Sequence, residues 1–217
     1  MSYGSGYDSD DDTESFFRLS SPVLEMATTP TTVQRPLRAD ARRNRDAIVQ
    51  AAREIVADEG VEAQIHDVAR RAGVGVGTVY RHFATKSELM GELLRICTTE
   101  NAALAREADL QEDPWEAFAG LVRGACAAMA GDAAKRRVWR VASDEAFAYA
   151  HDSKQEMHDA TAVVVDRAHA AGVLRADFTN DDMAGLMCGL AAVIDAGGPA
   201  DWSRLVEFAL DGLRTTP

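Results

Sequence analysis

The sequence predicts an all-α protein with a small N-terminal unit followed by a larger helical bundle. Apolar residues recur at intervals of three and four residues from about residue 40 onward, which is the spacing of one helix face. Glycine, proline and capping residues divide this pattern into about nine segments. No stretch alternates between apolar and polar residues as a half-buried strand does, and the run Val163-Val164-Val165 lies inside a helical stripe.

Residues 1–38 are predicted to form an extension without stable structure. An acidic run from Asp8 to Glu14 lies among serine and glycine, and a stretch rich in threonine and proline follows it. Such a segment has too little apolar surface to offset the entropy lost when a chain is ordered. Because Met26 follows the acidic run, a start of translation at Met26 is a further hypothesis, which the intact mass of the natively expressed protein tests.

Three helices are predicted within residues 39–86. Asp40 is a candidate N-cap of the first helix, and Gly60 ends that helix. A shorter stripe begins at Ile65, and after a glycine-containing turn Val76–His82 forms the next segment. Two short helices joined by such a turn are typical of a helix-turn-helix, whose second helix enters the major groove of DNA.

The remaining helices are predicted within residues 87–217. Thr85-Lys86-Ser87-Glu88 has the spacing of a capping box, and Asp113-Pro114 supplies an N-cap followed by proline at the first helical position. Further helices are predicted at about residues 132–142, 152–171, 179–196 and 201–213.

The charge of the chain is unevenly distributed. Taken whole, the formal net charge of −12 argues against nucleic-acid binding, which needs clustered cations. Residues 1–25 carry −5 and residues 101–217 carry −8, whereas residues 35–86 carry +3. For Arg42 and Arg43 in the first predicted helix we favour contact with phosphates over a solvated helix face.

The segment Val76–His82 has the composition of a helix that reads DNA. Its hydroxyl groups and its cationic or imidazole donors suit bases and phosphates: Thr78, Tyr80, Arg81 and His82. Gly77 would let the backbone approach DNA closely, while Val79 and Phe83 face inward. Lys86 adds a cation beside the amide-rich start of the next helix, where it would meet a phosphate.

The stretch from Ile65 to Leu89 resembles the DNA-binding signature of the tetracycline-repressor (TetR/AcrR) family of bacterial transcriptional regulators. The residues that carry the resemblance are Ile65-His66-Asp67-Val68-Ala69-Arg70-Arg71-Ala72-Gly73-Val74-Gly75-Val76-Gly77-Thr78-Val79-Tyr80-Arg81-His82-Phe83-Ala84-Thr85-Lys86-Ser87-Glu88-Leu89. It implies a homodimer in which each subunit has a helix-turn-helix DNA-binding domain and a C-terminal ligand-binding and dimerisation domain. The partners implied are a double-stranded DNA operator and a small-molecule effector.

The resemblance also assigns roles by position. It implies base and backbone contacts for Val76, Gly77, Thr78 and Tyr80. It implies sugar and phosphate contacts for Arg81, His82 and Lys86, and contacts with the DNA backbone for Gln64 and His66. The sequence has Ala63-Gln64 where the family usually has serine or threonine, which leaves the second helix without the usual N-cap side chain.

Large apolar side chains in the bundle are predicted to line a cavity for an apolar effector, with simple core packing as the alternative for each one. These side chains are Trp115, Phe118, Met129, Trp139, Phe147, Met157 and Met187. Acids such as Asp144, Glu145 and Asp166 would favour a cationic effector. Small and apolar residues in the last two helices predict a two-fold, four-helix interface between subunits.

Other classes of function find little support in the sequence. We predict no catalytic residues, no cofactor and no metal, although His151 and His158 leave a metal site open as an alternative. No apolar run approaches the roughly 18 residues of a membrane span. The sequence thus predicts a ligand-responsive repressor in the bacterial cytoplasm, associated with the nucleoid when bound to DNA. The alternative is a ligand- or metal-sensing module without specific operator binding.

Overall fold

A computed structural model describes residues 34–60, 64–197 and 201–215 of the chain. Within these residues the chain forms ten α-helices and no β-strand, which confirms the all-α class. The helices are α1 Gln34–Glu59, α2 Ile65–Arg71, α3 Val76–His82, α4 Lys86–Asp109, α5 Pro114–Gly131, α6 Ala133–Val141, α7 Asp144–Tyr149, α8 His151–Ala170, α9 Asn180–Ala196 and α10 Trp202–Leu213.

The first helix begins earlier than the sequence predicts. α1 starts at Gln34 rather than at Asp40, so residues 34–38 are helical and not part of an unstructured extension. Pro36 lies in the first turn of α1, where backbone N–H groups have no partner within the helix and proline is therefore tolerated. The rest of the predicted extension, including the hypothetical start at Met26, lies outside the described residues.

Local capping chemistry sets most of the helix starts. The Asp113 carboxylate accepts hydrogen bonds from the backbone N–H groups of Trp115 and Glu116, at 2.8 and 3.0 Å. The Thr85 hydroxyl accepts from the Glu88 N–H at 3.0 Å, but the Glu88 carboxylate accepts from Ala84 rather than Thr85, so the predicted capping box is only half formed. A complete capping box begins α9, at Thr179 and Asp182.

The short helix α7 is absent from the sequence prediction. Its six residues are too few to show a periodic stripe, although Ser143 caps it by accepting from the Ala146 N–H at 3.3 Å. α7 packs against α4 at Gly91, where an added Cβ would lie 2.6 Å from the Cβ of Tyr149. Glycine at this position therefore permits the close approach of the two helices.

Two hydrophobic cores share helix α4. The N-terminal core joins α1, α2, α3 and the first half of α4 with residues of α6 and α7. The C-terminal core joins the second half of α4 with α5, α8, α9 and α10. The largest fully buried side chains of the N-terminal core are Ile48, Ile55, Leu89, Leu94 and Phe83. In the C-terminal core the Phe118 ring is fully buried and meets Phe178 edge to face, with centroids 5.7 Å apart.

The carboxylate of Glu92 links three helices of the N-terminal core. Glu92 is 1% exposed and accepts two hydrogen bonds from the Arg95 guanidinium, each 2.9 Å long. Arg45 of α1 forms a second ion pair with it at 3.0 Å, and the Tyr149 hydroxyl of α7 donates to it at 3.4 Å. Burial opposes ionisation of Glu92, but the hydrogen bonds from Arg95 and Arg45 outweigh this cost and lower its pKa.

We expect Glu92→Gln to lower the free energy of unfolding by about 1–2 kcal/mol at neutral pH, because both arginines lose their charged partner. The contribution of Glu92 is present above its ordinary pKa of 4.5 and is lost as the pH falls through the lower folded value. The variant should therefore lose less stability than the parent on acidification below that pH. Denaturant titrations at a series of pH values measure both effects.

Glu54→Gln is the matched control, since Glu54 is exposed on α1 and accepts only a surface hydrogen bond from Gln50, at 2.9 Å, beside a long contact with Arg71. Its effect should stay within about 0.5 kcal/mol. Equal losses in the two variants would contradict the role given to the buried carboxylate.

Candidate functional site

Helices α2 and α3 form a helix-turn-helix held together by a few buried side chains. Gly73 adopts a φ of +67° in the turn, a conformation that favours glycine, and the Val74 N–H donates to the Ala69 carbonyl at 3.0 Å. Val68 and Val79 are 2% and 0% exposed and pack in the N-terminal core. The turn and this core fix the direction of α3 relative to α2.

One side of α3 lies at the surface. Val76 and Tyr80 are 41% and 50% exposed, although burial of their apolar surface would be energetically favourable. Gly77 and Arg81 are exposed as well, and Thr78 and His82 are half-buried. One face of this short helix thus packs in the core, while the other presents an apolar, a phenolic and a cationic side chain to the surroundings.

Residues predicted to contact the DNA backbone precede and follow α3 in the sequence. Arg42 and Arg43 are exposed on α1, where Arg43 pairs with Asp40. Lys86 is half-buried as the first residue of α4. Arg45, by contrast, points inward, with its guanidinium 5.1 Å from the Phe83 ring centroid as well as beside Glu92.

The start of α2 lacks a capping side chain, as Ala63-Gln64 leads us to expect. Gln64 has extended backbone at the N-cap position and makes no side-chain cap hydrogen bond. His66 is exposed, and its Nε2 lies 3.3 Å from a carboxylate oxygen of Asp67. The first turn of α2 therefore presents an amide side chain and an imidazole at the surface.

A cavity of about 530 Å³ lies between α4, α5, α6, α8 and α9. Its volume falls within the range of small-molecule sites, roughly 300–1,000 Å³. Apolar side chains from α5, α8 and α9 form much of the wall: Leu121, Val122, Met157, Met183 and Met187. Cationic side chains contribute as well, namely Arg136 and Arg140 from α6 and Lys154 from α8.

The structure brings together some of the predicted effector-binding side chains and separates others. Trp139, Met157 and Met187 line this cavity. Trp115 and Phe118 instead pack on each other in the C-terminal core, with ring centroids 5.8 Å apart. Both side chains are buried in that core, so their aromatic surface stabilises the fold.

Met129 and Phe147 also lie outside the cavity lining. Met129 packs against the C-terminal core. Phe147 belongs to α7 and packs on Trp139, with ring centroids 6.0 Å apart, so it supports a cavity residue from behind. Sequence periodicity marks these side chains as inward-facing, but it does not distinguish core from cavity.

Polar residues of the cavity differ from those the sequence suggested. The cavity lining includes none of Asp144, Glu145 and Asp166. Its acidic lining residue, among those that the structure describes, is Asp181. His151 and His158 line it too, and the His158 Nε2 lies 3.8 Å from Asp181.

Among residues 34–60, 64–197 and 201–215, no three histidine, cysteine or acidic side chains are grouped as metal ligands, and no helix is long and apolar enough to cross a membrane.

Comparison with known proteins identifies both halves of the chain. Residues 48–93 match the model of the bacterial regulatory proteins of the tetR family. Residues 113–215 match the C-terminal domain model of SbtR-like transcriptional regulators. The chain belongs to the TetR family. Its family consists of transcriptional regulators and not of enzymes, and its N-terminal unit is a helix-turn-helix DNA-binding domain.

A curated transcriptional regulator matches a short part of the chain. An HTH-type transcriptional regulator of Staphylococcus aureus strain USA300 is 43% identical over 54 residues, which are 24% of this chain and 29% of the relative. The match therefore spans less than a third of that relative's length.

Solved TetR structures extend the similarity along most of the chain. The regulator SCO0520 of Streptomyces coelicolor is 29% identical, with 80% of this chain and 99% of that one covered and a TM-score of 0.56. A TetR regulator of Mycobacterium vanbaalenii is also 29% identical, with 83% and 100% covered and a TM-score of 0.56. The fatty acid degradation regulator FadR of Bacillus halodurans shares the fold, with 19% identity, coverage of 77% and 93%, and a TM-score of 0.65.

We expect the double substitution Thr78→Ala and Tyr80→Ala to weaken specific DNA binding of this TetR protein at least tenfold. Each lost base or backbone contact costs about 1–3 kcal/mol. Stability should change little, because Tyr80 is half exposed and Thr78 is not among the buried core residues. Gel-shift titrations and thermal denaturation provide the two measurements.

Leu110→Ala serves as the control, since Leu110 is 81% exposed at the other end of α4 and far along the chain from α3. It should bind DNA as the parent does. Unchanged affinity in the double variant would refute the assignment of α3 as the recognition helix.

Proposed function

We propose that the chain is a ligand-responsive repressor that binds a pseudo-palindromic operator as a homodimer and is released by a small-molecule effector. It acts in the bacterial cytoplasm and associates with the nucleoid when bound to DNA. The observation that carries the proposal is the division of α3 into a buried face at Val79 and an exposed face at Val76 and Tyr80. A helix held from one side in this way presents its other side rigidly to the major groove.

The charge around α3 supports contact with DNA. Arg42, Arg81 and Lys86 belong to the part of the chain with a positive net charge, whereas the C-terminal bundle is acidic. Acidic surfaces are repelled by the phosphate backbone, so contact is favoured at the N-terminal unit alone. Binding of this kind weakens steeply as the salt concentration rises.

The outer face of α9 and α10 supports assembly into a homodimer. Gly185, Gly189 and Val193 recur at four-residue spacing on α9 and are exposed, and Phe208 of α10 is 55% exposed. Small residues allow helices of a second subunit to approach closely, and exposed apolar side chains gain from being covered. Two copies of these helices would form a four-helix interface.

The cavity supports control by an effector because one helix contacts both it and α1. Arg136 and Arg140 of α6 line the cavity. On the side of α1, Arg137 donates to the Ala57 carbonyl, and Arg53 pairs with Asp132 at the start of α6. An effector that prefers one position of α6 thereby changes the affinity for DNA, and DNA changes the affinity for the effector by the same factor.

Selection of DNA sites from a random library with the purified full-length protein tests this function. We expect the selected sites to converge on an inverted repeat whose half-sites are about 34–36 Å apart or a multiple of that distance. Enrichment of no sequence above the input library would contradict an operator-binding function.

We expect Phe208→Glu to give a monomer at concentrations where the parent is a dimer, because the interface would have to bury an unpaired carboxylate. Sedimentation velocity measures the change, and affinity for the inverted repeat should fall with it. Leu110→Glu introduces the same charge at the exposed C-cap of α4 and should remain dimeric. A dimeric Phe208→Glu variant would exclude this face as the interface.

A further inference from the structure

The cavity between α6, α8 and α9 has an excess of positive charge at one end. Arg136 and Arg140 line it from α6. Lys154 lines it from the first turn of α8, and its Nζ lies 5.5 Å from the centroid of the Phe147 ring, which packs on Trp139 of α6. Asp181, the acidic lining residue, lies at the start of α9, about 21 Å along the helix from the residues that meet α6.

One carboxylate faces the three arginines of α6. Asp195, near the end of α9, accepts from Arg136 and Arg137 at 3.4 Å each and from Arg140 at 2.6 Å. Its side chain is 17% exposed. The hydrogen bond from Arg140, reinforced by the neighbouring arginines against a smaller cost of burial, lowers the pKa of Asp195. Of these arginines, Arg136 and Arg140 line the cavity, so the single negative charge of Asp195 compensates only one of the two positive charges that they bring to it.

Lys154 increases this excess. Among the described residues no carboxylate pairs with its ammonium, which lies over the face of the Phe147 ring. Arg140 is 59% exposed at the side chain even though it pairs with Asp195, so its remaining donors are accessible. Because both residues line the same cavity, an ammonium and a guanidinium are available there to bind a carboxylate or a similar anion.

The rest of the cavity suits an apolar molecule. Leu121 and Val122 form one wall, and Met157, Met183 and Met187 form another. Methionine side chains are flexible and polarisable, so they adapt to apolar groups of different shape. A ligand that satisfies both regions has an apolar body and one anionic group.

We propose that the effector is an apolar molecule with a single anionic group, and that Arg140 and Lys154 bind this group in competition with the Asp195 carboxylate. The inference rests on the proposed function for the role of the cavity as an effector site. Binding of the anion draws Arg140 away from α9 and so loosens the contact between α6 and α9. Since Arg137 also donates to the Ala57 carbonyl of α1, the same helix transmits the change to the DNA-binding domain.

Isothermal titration of the full-length protein with three eight-carbon probes tests the charge preference. Octanoate, octanol and octyltrimethylammonium have the same apolar chain and differ in the charge of the head group. We expect octanoate to bind at least tenfold more tightly than octanol, because only the carboxylate forms charge-assisted hydrogen bonds with Arg140 and Lys154. Octyltrimethylammonium should bind more weakly than octanol. Equal affinities for octanoate and octanol, or no binding of octanoate, would overturn the proposal.

Variants identify the residues that bind the anion. Arg140→Gln and Lys154→Gln should each weaken octanoate binding about tenfold and leave octanol binding unchanged. Asp195→Asn should strengthen octanoate binding several-fold, because it removes the competing carboxylate. A general loss of packing would not produce opposite changes in these variants, and thermal denaturation verifies that each is folded.

Arg106→Gln is the matched control, since Arg106 pairs with Glu156 on the surface and does not line the cavity. It should bind octanoate as the parent does, and an equal loss in this variant would count against a specific anion site. Operator selection with the same preparation separates the two proposals. Selection of an inverted repeat without anion preference overturns this inference alone, whereas anion preference without a selected repeat overturns the repressor function.

Discussion

The buried carboxylate of Glu92 is the constraint on which the N-terminal unit depends. A buried charge is tolerated only where hydrogen bonds replace its lost hydration, and Arg45, Arg95 and Tyr149 supply them from α1, α4 and α7. These helices are thereby held in one arrangement. Since α2 and α3 pack on the same core, the position of the recognition helix is tied to α4, which continues into the C-terminal core.

The distribution of charge determines which surfaces can meet DNA. A net charge of −12 over the chain suggests repulsion, but residues 35–86 carry +3, and the excess of acidic residues lies in residues 1–25 and 101–217. The guanidinium of Arg45 pairs with the buried Glu92 carboxylate, although the Arg45 side chain is 37% exposed, so part of the positive charge of the N-terminal unit is neutralised within the fold. The electrostatic attraction between this unit and DNA therefore depends on the charges that are not neutralised by ion pairs within the protein.

Helix α6 has different partners on its different sides. Its arginines meet the carboxylate of Asp195 on α9, a backbone carbonyl of α1 and the ligand cavity. Asp132, at its N-cap, pairs with Arg53 of α1. α6 also packs in the N-terminal core through Ala134 and Val138. In the proposed function, an effector in the cavity would act on the N-terminal unit through this helix.

Periodicity, caps and turn glycines act within one segment of chain, so the helical class, the helix-turn-helix and the inward-facing Val79 and Phe83 could be predicted from the amino-acid sequence. It did not distinguish Phe118, which packs in the core, from Met187, which lines the cavity, because both are apolar residues on inward faces. The cationic end of the cavity was also decided by the tertiary structure. Its charge comes from residues of α6, α8 and α9, which are far apart in the sequence. Local sequence patterns do not predict which distant segments come into contact.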